Sequence, residues 1–196
     1  MTDASFQIAA DIDDVEEIES NGDVVTDSSD LEFVLDGGVQ QLVGLRFTSV
    51  TIPQGATITD AYIKFQADES QSVQTDLTFQ TQASDDAPAF DGSNSDVSGR
   101  SMNGSSVDWN SVPAWTTGNY YDTPDLSTII QDVVDRAGWS SGNALVVVVT
   151  GSGHRTAESY GGTYPATLFV SYELASGLPG RNRQLIAPVP VRQLRI

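Results

Sequence analysis

Cysteine is absent from this 196-residue chain, and histidine occurs once, at His154. No disulfide framework and no thiolate metal site can therefore form, and a single histidine excludes the multi-histidine spacing of zinc sites. Divalent cations held by oxygen ligands remain as the alternative cross-link, and calcium is the natural candidate.

Basic residues are scarce as well. The chain has 9 Lys and Arg residues against 27 Asp and Glu residues, for a formal net charge of −18. Since binding to phosphate depends on clustered Lys and Arg, this balance argues against nucleic acid and anionic membranes as partners. No apolar run approaches the ~18 residues that span a bilayer, and Met1 is not followed by a signal-peptide pattern.

Nucleophilic catalysis is poorly supported by the sequence. His154 lies beside a turn in "GSGH", where a surface residue is the usual interpretation, and no cysteine is present as a nucleophile. Pairs of carboxylates for glycoside hydrolysis stay open, since 27 acidic residues allow almost any geometry and thus carry no signal. We expect a protein that is not an enzyme.

The charges that are present divide the chain into two parts. Residues 1–180 hold all 27 acids and five bases, a net charge of 5 − 27 = −22, whereas Arg181 to Ile196 carry four arginines and no acid. A cationic, apolar tail on an anionic body favours docking onto an anionic surface, and a second copy of the chain offers one. We expect a domain over residues 1–176 and a linker with a tail over 177–196.

Period-two alternation dominates the body and predicts half-buried antiparallel strands. Around residues 61–68, for example, Ala61, Ile63 and Phe65 alternate with polar or amphipathic neighbours. Residues 84–106 are rich in Ser, Asp, Gly and Asn, which predicts a long surface loop. Thr123 with Pro124 predicts the N-cap of a helix that ends at Gly138. The sum is an all-β, jelly-roll-like sandwich of two antiparallel sheets with one short helix.

The N-terminal segment is the most acidic part of the chain, with twelve acids and no base in residues 1–36. A disordered acidic arm would have this composition. Apolar residues are interspersed, however, and a strand-like run from Leu31 to Leu35 follows. We therefore expect an ordered edge segment of the domain.

Four strings in this order resemble the DNRLRE-type domain of secreted bacterial and archaeal surface proteins, over about residues 5 to 174. They are "VGLRFTSVTIPQGATITDAYIKF" (43–65), "VDWNSVPAW" (107–115), "TPDLSTIIQDVVDRAGW" (123–139) and "RTAESYGGTYPATLFVSYE" (155–173). The resemblance implies a β-sandwich related to carbohydrate-binding modules that is extracellular or cell-surface and non-catalytic, and that binds acidic polysaccharide in some relatives. The tail lies outside the family pattern.

Two groups of carboxylates are the candidate ligands for a structural Ca2+, which takes six to eight oxygens. They are Asp11, Asp13, Asp14 and Glu16, and Asp85, Asp86 and Asp91. The alternative interpretation is a solvated acidic face that keeps the protein in solution.

Aromatic residues suggest a platform on which sugar rings could stack. Trp115, Tyr120 and Tyr121 lie in a loop with Gly and Thr, and they are the better surface candidates, whereas Trp109 and Trp139 are expected in the core. The negative body disfavours an acidic glycan unless calcium bridges it, so a neutral glycan remains possible.

The tail carries the signature of an extended strand. Leu185, Ala187, Val189 and Val191 occupy alternate positions, and Pro188 and Pro190 lie on the opposite parity. Because proline cannot donate to a sheet ladder, the segment suits an added edge strand. It either folds back on its own domain or adds to the sheet of a neighbour.

These observations predict a non-catalytic extracellular structural protein that forms a filament or surface polymer with copies of itself, stabilised by calcium, with the tail as donor strand. The four apolar residues of the tail would act as plugs and its arginines as electrostatic clamps, namely Arg181, Arg183, Arg192 and Arg195. The alternative is a carbohydrate-binding module of a secreted protein.

Overall fold

The computed structural model describes residues 1–174 and shows a β-sandwich with one short helix, as the alternation predicts. The predicted linker and tail, including all eight tail residues named above, lie outside the described residues. Among residues 1–174, no helix is long and apolar enough to cross a membrane.

The structure contains these elements in chain order: β1 (Thr2–Gln7), β2 (Asp14–Ile18), β3 (Val24–Val25), β4 (Asp30–Phe33), β5 (Leu35–Asp36), β6 (Val39–Phe47), β7 (Thr57–Gln66), β8 (Asp76–Thr81), β9 (Val107–Trp109), β10 (Tyr120–Asp122), α1 (Ser127–Val134), β11 (Leu145–Ser152), β12 (Arg155–Glu158) and β13 (Thr167–Glu173).

Two antiparallel sheets form the layers of the sandwich. One has the order β1-β13-β7-β10, and the other has the order β3-β2-β6-β11-β8-β9 with β5 attached to β6. A small sheet of β12 and β4 lies apart from both. The N-terminal segment supplies β1 and β3, which are edge strands of the two main sheets, so the prediction of an ordered edge segment is confirmed.

The main core lies between the two sheets and is built by alternate residues of the long strands. On β7, Ala61, Ile63 and Phe65 are at most 1% exposed, while the residues between them face away from the core. Helix α1 adds Ile129, Ile130, Val133 and Val134 to the same core. Period-two burial of this kind fixes which face of the sheet each side chain occupies.

A second apolar cluster covers the other face of β11. Val146 and Val148 lie there with Phe90 and Val97, both from the segment predicted to be a surface loop. Gly44 of β6 allows the close approach, since a Cβ atom there would lie 2.6 Å from Cζ of Phe90. Residues 84–106 form a loop without a helix or strand, as predicted, but the loop does not lie wholly at the surface, because its few apolar side chains close the second core.

The helix begins later than predicted. Its first residue is Ser127, and Thr123 does not cap it; the Thr123 hydroxyl accepts the Ile63 N–H instead. Asp125 lies two residues before the first helical residue, and its carboxylate accepts the Ser127 N–H at 2.8 Å. The helix ends at Val134, four residues before Gly138.

Arg155 is the most heavily bonded buried cation of the described residues, at 1% exposure. Its guanidinium donates to the carbonyls of Val112, Pro113 and Val73 at 2.9 to 3.0 Å, and also to the Thr75 hydroxyl and the His154 carbonyl. A planar guanidinium has five N–H donors in a fixed geometry. One side chain therefore joins three segments of the chain, at residues 73–75, 112–113 and 154.

We expect Arg155→Met to lower the free energy of unfolding by roughly 3–5 kcal/mol, because several buried carbonyls lose their donor and each unsatisfied group costs about 1–3 kcal/mol. Urea unfolding followed by tryptophan fluorescence measures the loss. The matched control is Arg136→Met, which breaks a partly exposed ion pair with Asp85 and should cost about 1 kcal/mol or less. Equal losses in the two variants would contradict this role of Arg155.

Candidate functional site

The outer face of the four-stranded sheet carries an aromatic and polar surface. We call this surface the outer face. Directly paired residues of antiparallel strands lie side by side on one face of a sheet. The rows across the strands are Ser5, Phe169 and Tyr62; Asp3, Ser171 and Asp60; Lys64 and Asp122; and Gln66 and Tyr120.

Tyr62 and Phe169 form a stacked pair at the centre of the outer face. Their ring centroids are 5.1 Å apart and the rings are nearly parallel, at 13°. The ammonium of Lys64 lies 5.7 Å from the Tyr62 centroid and 5.9 Å from the Phe169 centroid, within the range of a cation–π contact. The two rings thus present a flat apolar surface beside a positive charge.

Lys64 is the only lysine in the sequence, and it forms an ion pair with Asp122 of the edge strand β10. Its Nζ lies 2.6 Å from a carboxylate oxygen of Asp122, and this hydrogen bond raises the pKa of Lys64 above its ordinary value. Because Asp122 balances the ammonium, the outer face is not an anion site by charge alone.

A second aromatic pair lies at the β10 side of this sheet. Tyr120 is 50% exposed and meets Tyr164 edge to face, with ring centroids 4.9 Å apart. With Tyr62 and Phe169, these rings give the aromatic surface that stacking of sugar rings requires, and neighbouring carboxylates and amides supply hydrogen-bonding groups.

Of the three aromatic residues proposed as a platform from the sequence, only Tyr120 faces solvent freely. Trp115 is 2% exposed, so its prediction as a surface residue is wrong. Tyr121 is half-buried and stacks on Trp115 with centroids 5.1 Å apart. The alternation along β10 explains the difference, since it turns Tyr120 outward and Tyr121 inward. Trp109 and Trp139 are in the core, as predicted.

Tyr62 and Phe169 were missed as candidates, although a signal for Tyr62 was present. It alternates with the buried residues Ala61 and Ile63, and that parity alone places it on the opposite face of the sheet. No comparable signal identified Phe169, whose neighbours Leu168 and Val170 are equally apolar.

A shallow cavity of about 350 Å3 borders the edge strand β1. We call it the edge groove. Its lining residues are Asp3, Ala4, Asp60, Tyr62, Phe169, Val170 and Ser171. Two carboxylates and two aromatic rings make the edge groove both acidic and partly apolar.

The predicted calcium ligands do not form a metal site in the described residues, where no group of three or more His, Asp or Glu residues is arranged to hold an ion. In the first set, Asp13 pairs with Arg46 at 2.6 Å, Asp14 accepts the Tyr160 N–H and Glu16 accepts the Glu32 N–H. Asp11 begins a short 3-10 turn that ends at Asp13.

The second set is similarly engaged with protein groups. Asp85 pairs with Arg136 at 2.7 Å, Asp86 accepts the Ala144 N–H, and Asp91 accepts the Ser93 N–H. Calcium therefore stays a prediction from sequence, and the geometry of residues 1–174 adds no support to it.

Two carboxylates of the first set have pKa values well above the ordinary range. Burial raises the pKa of Asp14 to about 7 from an ordinary value of 3.8, opposed by the Tyr160 N–H and assisted by Asp11 and Asp13. Burial also raises the pKa of Glu16 to about 7 from 4.5, opposed chiefly by the Glu32 N–H. Both residues are on β2, inside the most acidic segment of the chain.

His154 is partly buried next to Glu32, the residue whose N–H donates to Glu16. Its Nε2 atom contacts the Glu32 carboxylate, and the Thr156 hydroxyl donates to the same carboxylate at 3.2 Å. Burial raises the pKa of Glu32, and the contact with His154 opposes that rise. The sequence pattern treated His154 as a lone surface residue, because only the fold places Glu32 next to it.

No model of a known protein family matches the chain, and a search of curated proteins found no match. The similarity to the DNRLRE-type domain therefore remains an interpretation of the four sequence strings.

We expect the protein to melt at a higher temperature at pH 5 than at pH 8. Asp14 and Glu16 titrate near 7 in the folded state and near 4 in the unfolded state, so the stability that they contribute is present at low pH and is lost as pH rises through about 7. The effect is on the order of a few kcal/mol, at 1.36 kcal/mol per pKa unit.

Melting curves of Asp14→Asn/Glu16→Gln should show a smaller difference between pH 5 and pH 8, because amides do not titrate. Asp36→Asn/Glu19→Gln is the control with the same charge change at exposed positions. An unchanged pH dependence in the first variant would contradict the assignment. The same curves in EDTA and in millimolar calcium test the calcium prediction, since a bound Ca2+ would stabilise the carboxylate forms.

Proposed function

We propose that this protein is a non-catalytic, extracellular structural subunit that assembles with copies of itself by donating its C-terminal strand to a neighbouring sheet. The observation that supports it best is β1, a six-residue edge strand with no further strand beside it among residues 1–174. An edge strand presents unpaired N–H and C=O groups, which form a template for an added strand. The extracellular location rests on the resemblance to the DNRLRE-type domain.

The other edges of the two main sheets, within the described part of the chain, are poorer acceptors. Strands β10 and β9 have three residues each, and β3 has two. The sequence of β1, TDASFQ, contains neither Pro nor Lys, the residues that commonly block strand addition at an edge. Length and composition both favour β1.

Charge favours association between copies. A tail of charge +4 would approach a body of charge −22, and opposite charges accelerate encounter and fix orientation. Burying about six apolar side chains of the tail at ~1.5 to 3 kcal/mol each gives roughly 10 kcal/mol before ordering costs. Contact of this head-to-tail kind is heterologous, and it forms a filament unless the ring closes.

Deletion of residues 179–196 should leave a folded monomer, because the donor is removed and the described core is intact. Analytical ultracentrifugation at low salt and electron microscopy would show polymers of the full chain and none of the truncation. A full-length control in which the four tail arginines become Gln should assemble more weakly and with less dependence on salt. Fibres that persist in the truncation would refute assembly by the tail.

A second function is supported by a separate observation, the aromatic surface of the outer face. Tyr62, Phe169 and Tyr120 lie on the outer face beside carboxylate and amide groups, and Tyr164, from the segment before β13, packs against Tyr120. Carbohydrate-binding modules recognise sugars by such stacking, and in this alternative the protein is a binding module for polysaccharide. Asp122 balances Lys64, which favours a neutral glycan over an acidic one.

If the outer face binds glycan, Tyr62→Ala and Tyr120→Ala should each weaken binding about tenfold, the equivalent of 1.4 kcal/mol. Each substitution removes a ring from the outer face, partly exposed at Tyr62 and exposed at Tyr120, and leaves the core residues in place. A glycan array identifies the ligand, and calorimetry measures the variants. Tyr160→Ala is the control, since Tyr160 is 40% exposed and lies beside Asp14, away from the outer face. Equal affinity of all three variants would exclude this site.

A further inference from the structure

We infer that the acceptor for the donated strand is the edge of β1, which no other strand of residues 1–174 covers, together with the edge groove, and that residues 185–191 of a second copy pair with it antiparallel. This inference rests on the proposed function, and it names the surface that the tail contacts. Four properties of the described residues and of the sequence support it.

The core is less fully covered at β1 than at β7. Ala4 packs against the main core but is only partly buried, whereas Phe6, two residues further along β1, is buried at 8% exposure. A neighbouring strand with apolar side chains on one face would extend the same layer over Ala4. Leu185, Ala187 and Val189 have the spacing for this, since alternate residues of a strand point to one face.

The proline positions in the tail allow pairing on one side only. In a strand, residues of one parity direct their N–H and C=O groups to the same neighbour. The parity of Ala187 and Val189 keeps every N–H, whereas Pro188 and Pro190 have none. A strand with these prolines can pair with β1 through its complete side and leave the proline side at the new edge of the sheet.

The edge groove and the residues that flank the donor segment have opposite charge. Asp3 and Asp60 line the edge groove, with Ser171 between them donating its hydroxyl to Asp3 at 2.7 Å. Arg183 and Arg192 flank the apolar segment of the tail on its two sides. Lys64 is the one basic residue in the rows of the outer face named above, and its ammonium forms an ion pair with Asp122, so it does not neutralise Asp3 or Asp60.

Strand direction favours a second copy over the chain's own tail. Tyr172, near the end of β13, lies opposite Thr2, at the start of β1. A tail that passed directly from this end onto its own β1 would run parallel to β1, whereas every strand pair in the described residues is antiparallel. A neighbouring molecule can supply the antiparallel direction without reversing the chain.

Disulfide trapping tests the acceptor, and the absence of native cysteine makes it specific. The acceptor chain carries Ala4→Cys and lacks residues 179–196, so it can only receive a strand. The donor chain is full length and carries one cysteine, at Leu185, Ala187, Val189 or Val191 in turn. Adjacent strands bring Cα atoms within the 4.4–6.8 Å that a disulfide requires.

After mild oxidation, at least one donor should form a disulfide-linked heterodimer with the acceptor, separable by mass because the two chains differ in length. The matched acceptor is Val39→Cys in the same truncation, since Val39 is 44% exposed on β6, away from β1. It should give only background cross-linking. Circular dichroism confirms that each acceptor is folded.

Three results would overturn the inference. Equal trapping by the Val39→Cys acceptor, or no heterodimer with any donor while the full chain still polymerises, would place the acceptor elsewhere and leave the proposed function standing. A single chain with both Ala4→Cys and a tail cysteine that closes only within itself would show a tail folded back on its own domain. Polymers of the truncation would instead refute the proposed function itself.

Discussion

The buried guanidinium of Arg155 is the interaction on which one end of the sandwich depends. It binds carbonyl groups of Val112, Pro113 and Val73, which belong to two loops that no main-sheet ladder joins to β12. Those loops carry Trp115, and Tyr121 of β10 stacks on its ring. Alternation along β10 then turns Tyr120 toward solvent, because Tyr121 faces inward.

The same sheet combines two surfaces with different chemistry. Its β10 side has the tyrosine pair and the Lys64–Asp122 ion pair, which suit a polar, ring-shaped ligand. Its β1 side has an edge that no other strand of residues 1–174 covers, beside an acidic groove, and the two suit an extended cationic strand. Tyr62 and Phe169 lie between them and belong to both the outer face and the edge groove. Glycan binding and strand addition would therefore be close neighbours on one molecule.

Period-two alternation in the sequence correctly predicted strands and their buried residues wherever one face of a strand is buried and the other is solvated. It predicted the core positions of β7 and the all-β class, because a one-residue shift would expose the whole apolar set. For residues 84–106, polar composition predicted a loop but did not predict that Phe90 and Val97 are buried in a second core. Trp115 was misplaced for the related reason that a loop composition says nothing about which side chains the loop turns inward.

The sequence by itself determined the fold class, the contrast between an acidic body and a basic tail, and the period-two apolar pattern of the tail, because composition and period two are local properties. Only the tertiary structure decided which strands are edges of the sheets formed by residues 1–174, which aromatic rings face solvent and which carboxylates are buried. These depend on contacts between residues far apart in the chain, such as Tyr62 with Phe169 and Glu32 with His154. Neither contact leaves a trace in the spacing of residues, because the fold that creates it is long-range.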